Sequence, residues 1–263
     1  MFYSVRDYHV VSAKELRLES TVAALQVRFG TDALRRLKKT ADVPAIPTGF
    51  AGLDAILECG GIPRGRITEL LGAPTSGMST LALKTMAMAQ NQQDSVVYVD
   101  LARTFDPDYA ARCGVRVEKL YLARPAGGRQ ALEITLSLIA GGAGMLVFDS
   151  VAHLLHEPLG SEEGSSILRR LNRALSDSPC ALVFLTALRL GDGPAQAVYP
   201  SGFALAHYAA VRLALEKERW ITKQRDIDGY RARATVLKNK LGAAGKNTSL
   251  DILFDGIVQG DGT

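Results

Sequence analysis

The stretch Gly72-Ala73-Pro74-Thr75-Ser76-Gly77-Met78-Ser79-Thr80 carries every element of the phosphate-loop pattern G-x-x-x-x-G-K-[ST] except its lysine, which here is Met78. Its glycines let successive backbone N–H groups turn inward as an anion-binding nest at a helix start. Met78 cannot supply the cation that reaches the β- and γ-phosphates. Such a loop would hold nucleotide phosphates through its backbone, and more weakly than a loop with the lysine. The run Ile67–Leu71 reads as a buried strand and Leu81–Gln90 as a helix, so the loop has the strand–loop–helix setting it needs.

A second constellation is Met145-Leu-Val-Phe-Asp149, an apolar strand ending in an acid. At the carboxyl edge of a parallel sheet such an acid lies beside the phosphate loop and holds Mg²⁺ through water. Ser79 is the matching hydroxyl for the metal, and Thr80 is expected to face the phosphates from the helix start. Phosphoryl transfer to water also needs a group that orients the attacking water, usually Glu or Gln at the end of a neighbouring strand. The strand Ser95–Asp100 exits through Asp100-Leu101-Ala102-Arg103-Thr104, and the strand Ala181–Thr186 through Ala187-Leu188-Arg189. Neither offers such a group, so no catalytic residue is assigned.

These motifs need a frame, and 263 residues hold one large domain, or one plus a small appendage. Apolar residues make up 47% and charged ones 22%, ordinary for a soluble protein with a substantial core. A net charge of +4 is compatible with nucleic-acid contact without requiring it. Cys59, Cys113 and Cys180 have neither CxxC nor metal-ligand spacing and read as buried free thiols. With no long apolar run and no signal-peptide pattern, the expectation is a cytoplasmic protein with no membrane partner. Apolar spacing predicts a helix of about four turns from Ala13, a turn at Gly30-Thr31, and a short basic helix with Arg35, Arg36, Lys38 and Lys39. From Thr48 onward short apolar runs alternate with helical patterns, which predicts an α/β domain with a largely parallel sheet flanked by helices. The closely spaced strands Ala210–Leu215, Ala232–Lys238 and Ser249–Phe254 add antiparallel members toward the C-terminus. The expected division is an N-terminal helical segment, 1–44, and a core, 45–263. Helices are expected over 79–91, 107–113, 128–141 and 162–176, and segments near 157–165 and 190–204 read as surface loops.

Taken in order, these motifs resemble the bacterial RecA recombinase family over roughly residues 16–258. Leu25-Gln-Val-Arg-Phe-Gly30 is similar to the helix by which that family's protomers pack on each other. Ile46-Pro-Thr-Gly49, Leu53-Asp54 and Gly60-Gly61-Ile-Pro-Arg-Gly65 resemble the start of its core. Asp106-Pro-Asp-Tyr109 resembles the segment that covers the adenine, which implies Tyr109 as the stacking ring and Asp106 as a partner for the adenine amine. Lys238-Asn-Lys240 resembles the lysine pair that reaches a neighbouring protomer's phosphates. The resemblance implies a RecA-like P-loop NTPase core, ATP and Mg²⁺ as ligands, and self-association through the N-terminal helix.

The departures point elsewhere. The family's loop lysine is Met78, its water-activating Glu aligns with Ala102, and its nucleotide-sensing Gln aligns with Ala187. Each such stabiliser is typically worth several kcal/mol of barrier, so ATP is expected to be held weakly or not at all, without turnover. Lys84, nearly two turns into the helix, is not expected to reach the phosphates. The first DNA-loop counterpart, from His156 to Arg170, carries three Glu, and the second, Leu190 to Phe203, carries no Lys or Arg. Arg169, Arg170, Arg189 and Tyr199 remain as candidate contacts to single-stranded DNA. The chain is also expected to lack the family's further C-terminal domain. His153 and His156, and the basic segment Lys217–Arg225 with its one Trp, read as solvated features. The resemblance then narrows to shortened, degenerate RecA-like proteins of the ImuA kind. These imply a non-hydrolysing regulator or scaffold in the bacterial DNA damage (SOS) response, partnered by a recombinase or repair polymerase. The alternative is an active DNA-dependent ATPase forming filaments on single-stranded DNA, with Lys238 or Lys240 supplying the missing charge across a protomer interface. A nucleotide sensor unrelated to DNA is a third class.

Overall fold

The computed structural model describes residues 12–31, 33–34, 43–156, 161–188, 203–223 and 226–254. The chain separates into two compact units, Met1–Asp42 and Val43–Thr263. The first holds α1 (Ala13–Phe29), after which Gly30 takes the left-handed conformation (φ 89°) and Gln26 Nε2 donates to the Leu34 carbonyl at 2.8 Å. Leu16, Leu18, Val27 and Phe29 of α1 are exposed. The short basic helix read at 35–39 lies outside the described residues.

The second unit is built on an eight-stranded sheet. Its parallel part comprises β3 (Arg66–Gly72), β4 (Val96–Asp100), β5 (Leu120–Ala123), β6 (Met145–Asp149), β7 (Ala181–Ala187) and the start of β8 (Val211–Lys223). β9 (Asp226–Asn239) and β10 (Asn247–Leu253) follow antiparallel, giving the order β10-β9-β8-β3-β7-β6-β4-β5. A two-stranded ribbon, β1 (Ala45–Ile46) and β2 (Ile62–Pro63), precedes it, with α2 (Ala51–Leu57) between. The remaining helices are α3 (Met78–Asn91), α4 (Pro107–Arg112), α5 (Gly128–Ala140), α6 (Ser161–Ser176) and α7 (Leu205–Tyr208).

Period-two alternation sorts the strand side chains into two cores, one on each face of the sheet. Val96, Tyr98, Met145, Val147, Val183, Leu185, Leu213 and Leu215 join Leu81 and Met86 of α3 on one face. Val97, Val99, Leu146, Phe148, Leu182 and Phe184 join Leu132 of α5 and Leu168 and Leu171 of α6 on the other. Both faces are covered, so the parallel strands are apolar throughout.

Three expectations change. The helix read over 162–176 is α6, which begins at Ser161 inside the segment also read as loop, and Glu163 at its acidic start pairs with Arg129 of α5. Arg169 and Arg170 therefore lie on the solvent face of a helix, not on a loop. The strand expected to end at Leu215 continues to Lys223, because the polar residues beyond it pair with β9 as a hairpin arm whose exposed faces need no apolar alternation. Cys59 is half-buried, although all three thiols are free and Cys113 and Cys180 are buried.

One polar group in this frame was invisible in the pattern. Glu69 of β3 is fully buried, and it accepts from Thr186 Oγ1 of β7 and Arg212 Nε of β8, both at 2.7 Å. The ion pair ties β3 to both its neighbours. Removing one member strands a buried charge, so Arg212→Met should cost about 3–5 kcal/mol in urea denaturation, and Glu69→Gln/Arg212→Met together should cost less than Arg212→Met alone.

Candidate nucleotide site

The motifs meet at the carboxyl ends of β3, β4 and β6, where open α/β sheets place their ligands. Gly72 ends β3, and a Cβ there would collide with the Ser76 hydroxyl and stand 2.7 Å from the Leu215 carbonyl oxygen. Thr75 and Gly77 both take positive φ, 64° and 101°, and Ser76 N donates back to the Ala73 carbonyl at 3.1 Å. Gly77 begins α3 without a side-chain cap. The first-turn N–H groups, which have no intrahelical partner, are thus left to the loop. The Ser76 hydroxyl is buried and has no hydrogen-bond partner in the structure. The loop thus has the backbone shape of an anion nest.

Met78 is buried and belongs to the apolar cluster that includes Leu81, Leu215, Tyr230 and Ile252. Ser79 is exposed on the first turn. Thr80 is buried, its hydroxyl 2.5 Å from that of Tyr109. Lys84 lays its stem against Gly49, away from the loop.

A cleft of about 350 Å³ opens over residues 73–80, walled by Tyr109, Lys217, Trp220, Tyr230 and Phe254. Tyr230 is 6.2 Å from Trp220 and 6.0 Å from Phe254 between ring centroids, so three rings form one wall. Burial pushes the Tyr230 phenol up to about 12, so it stays a neutral donor. Sequence reasoning assigned none of this wall except Tyr109, and it took Lys217–Arg225 as a solvated hairpin. The arm is a hairpin, but Lys217 and Trp220 line the cleft. The available signal was an aromatic residue in each of two otherwise polar arms. A larger hollow of about 630 Å³ lies at the other end of β4 and β5, beside Gln90, Asp94, Arg116 and Tyr121, and no motif residue lines it.

Asp106 caps α4, its Oδ1 accepting from Asp108 N at 2.9 Å and Tyr109 N at 3.0 Å, so one of its oxygens is committed to the helix. The Tyr109 ring has the Arg112 guanidinium over it at 5.5 Å. Its hydroxyl is tied to Thr80, and burial raises its pKa.

Asp149 ends β6 directly opposite Asp100 of β4. Asp100 is fully buried and paired with Arg124 Nε at 3.1 Å. Asp149 Oδ2 accepts from the Tyr98 hydroxyl at 2.6 Å and from Thr104 Oγ1 at 3.4 Å. Burial, with the Asp100 charge adding to it, raises the Asp149 carboxyl above the ordinary range. Asp149 Oδ2 is thus engaged by two hydroxyls. Among the described residues no group of three or more His, Cys, Asp or Glu is placed to hold a metal. His153 Nδ1 is 2.9 Å from Ser150 Oγ. Tyr98 was missed because a tyrosine inside an apolar strand reads as core, although a buried phenol usually finds an acceptor.

Lys238 and Lys240 lie on the other face of the sheet. Lys238 is the ladder partner of Arg212, and its ammonium donates to the carbonyls of Ala206 and His207 of α7 at 2.8 and 2.9 Å. Lys240 Nζ is 3.4 Å from the His207 carbonyl. Neither faces its own phosphate loop, and desolvation lowers the Lys238 pKa. Arg189 and Tyr199 lie outside the described residues.

The raised pKa of Asp149 means that the folded chain holds this proton more tightly than the unfolded one. Ionised Asp149 therefore costs stability above its folded pKa, and the cost fades as pH falls through that value. Asp149→Asn keeps an acceptor for Tyr98 and should raise Tm at pH 8 by about 2–4 °C, the shift of about 1 kcal/mol in a chain of this size. Melting curves at pH 8 and pH 4.5 should show the gain shrinking at the lower pH.

Comparison with known proteins is consistent with this geometry. The family described as RecA N-terminal domain matches residues 16–259. Protein RecA of Herpetosiphon aurantiacus is 36% identical over 266 residues, covering 95% of this chain and 74% of that protein. Protein RecA of Aquifex pyrophilus is 36% identical over 262 residues, covering 93% and 75%, and that of Aquifex aeolicus 37% over 262 residues, covering 93% and 76%. A match along nearly the whole chain, on a sheet that brings a phosphate loop and its acid together, places this protein in the RecA family.

Proposed function

We propose that this chain is a RecA-like protein of DNA recombination and repair whose site holds a nucleotide without hydrolysing it. It would then act as a regulator or scaffold in the DNA damage response. One observation carries the reading: the three positions that flank the loop, 78, 102 and 187, hold only apolar side chains. Met78 sits in the core. The backbone N–H of Ala102 is committed to the Asp149 carbonyl at 3.0 Å, and Ala187 is the ladder partner of Gly72. Where the family carries a clamp, a water-orienting group and a nucleotide sensor, this chain therefore has a methionine and two alanines.

The preserved nest, the buried Ser76 hydroxyl and the aromatic wall support binding of ATP. Any Mg²⁺ that accompanies it would rest mainly on phosphate oxygens and Ser79, since Asp149 is engaged. No hydrolytic step is derived through it. The exposed apolar residues of α1 support self-association or docking onto a related recombinase, and a repair polymerase is the other partner class. For single-stranded DNA the candidate contacts among the described residues are Arg169 and Arg170, both exposed on α6, and affinity for the DNA backbone rests on such cations.

The test is ATP binding by calorimetry together with turnover, with and without single-stranded DNA. Binding without turnover is expected. DNA-stimulated turnover would instead establish an active ATPase fed by Lys238 or Lys240 of a neighbouring copy. Met78→Lys should tighten ATP about tenfold, the worth of one charge-assisted contact, and should remain without turnover while Ala102 stands.

A further inference from the structure

The cleft contains a lysine for which the site has no other use. β8 pairs with β3 so that Leu215 lies opposite Gly72, the first residue of the loop. Val211, Leu213 and Leu215 project onto the face that carries α3, and Lys217 is the next residue in that row. Between Lys217 and Arg219 the ladder with β9 slips by one residue. Lys217 partners Ala232, Arg219 partners Arg231 and Trp220 partners Tyr230. In a regular strand residues 217 and 220 would point to opposite faces. The bulge at Glu218 puts both on the face of the loop and sends Glu218 to the other, where it pairs with Arg233. The row that ends in Lys217 therefore leads from the core to the lip of the nest.

Lys217 lines the cleft together with residues 73–80, and its ammonium lies 4.0 Å from the centre of the Trp220 ring. It has no carboxylate partner among the described residues, unlike Arg212, Arg231, Arg233 and Lys246 of the same sheet region, each in an ion pair. A cation resting on an aromatic face gives up little when an anion takes its place, since such a contact at an exposed position is worth about 0.5–1 kcal/mol. The cleft also holds an independent sign of a missing ligand, the buried and unpartnered Ser76 hydroxyl.

We propose that Lys217 supplies, within the same chain, the positive charge toward the nucleotide phosphates that Met78 no longer provides. This rests on the reading of the loop as a nucleotide site and names the residue that sets its affinity and its preference for a polyphosphate. The loop's N–H groups receive the phosphate from one side. Lys217 approaches it from the β8 side, and the Trp220–Tyr230–Phe254 wall excludes water around the pair. A charge on β8 stands outside the loop that embraces the phosphates, so it strengthens binding without entering the place where a transferring group would be stabilised.

The test measures three ligands by calorimetry on the full chain: ATP, inorganic tripolyphosphate and adenosine. Lys217→Ala should weaken ATP and tripolyphosphate about tenfold or more, leave adenosine unchanged, and leave Tm unchanged because the side chain is exposed. Lys217→Arg should recover most of the loss. In the Met78→Lys background the same truncation should cost less than about threefold, since the loop then carries its own cation. Equal weakening of adenosine and ATP would mean that Lys217 only shapes the wall, and ATP binding by Lys217→Ala within twofold of the parent would overturn the proposal while leaving the nucleotide reading intact. If the parent chain itself binds neither ATP nor tripolyphosphate, the nucleotide reading falls, and the proposal with it.

Discussion

The site depends on how closely three strands approach one loop. Gly72 has no room for a Cβ because the Leu215 carbonyl of β8 and the Ser76 hydroxyl occupy that space, and Gly77 has none because Ile252 of β10 stands 2.7 Å from where it would be. The loop is gripped at both glycines, by a strand that runs parallel to β3 and by one that the chain adds only after residue 247.

Electrostatics follow from the same edge. Parallel register sets Asp100 directly against Asp149, two carboxylates on neighbouring strand ends in a buried setting. The chain resolves the repulsion differently at each. Asp100 takes a guanidinium and backbone N–H donors from Thr104 and Phe105, whereas Asp149 takes two hydroxyls and holds its proton more tightly. Hydroxyl donors stabilise a carboxylate less than a cation does, and burial raises the Asp149 carboxyl above its ordinary range. The segment after β4 is held from both strand ends: the N–H groups of Leu101 and Ala102 close on the main-chain carbonyl of Asp149, and those of Thr104 and Phe105 on the Asp100 carboxylate.

Much of this frame is legible in the sequence because it is written in local patterns. Apolar runs ending in Asp100 and Asp149, the spacing of the loop glycines, and the helical period after Met78 each depend on residues a few positions apart, and the strands and helices they predict are found. Legibility fails where a residue's role is set by the register of a distant strand. Glu69 reads as one more residue of a buried strand until Arg212 and Thr186, from strands far along the chain, are laid beside it. Tyr98 acquires its acceptor only when β6 is placed next to β4. The polar arm beyond Leu215 carries no alternation to mark it as strand, since it is paired on one edge by β9 and exposed over much of its length.

Trp220 and Lys217 show how small a change decides such a role. A strand fixes the face of every residue by parity, so a single extra residue reverses all that follow. Without the slip at Glu218, Trp220 would share the outer face with Arg231 and Arg233, where both arginines already hold carboxylates. It would then be a lone aromatic on a charged surface, the solvated hairpin that its composition suggests. With the slip it meets Tyr230 and Phe254 and gives Lys217 a ring to rest on, which turns an ordinary hairpin arm into the wall of the cleft over the loop. The bulge, more than any residue of the loop itself, is what makes the charge missing at position 78 replaceable from β8.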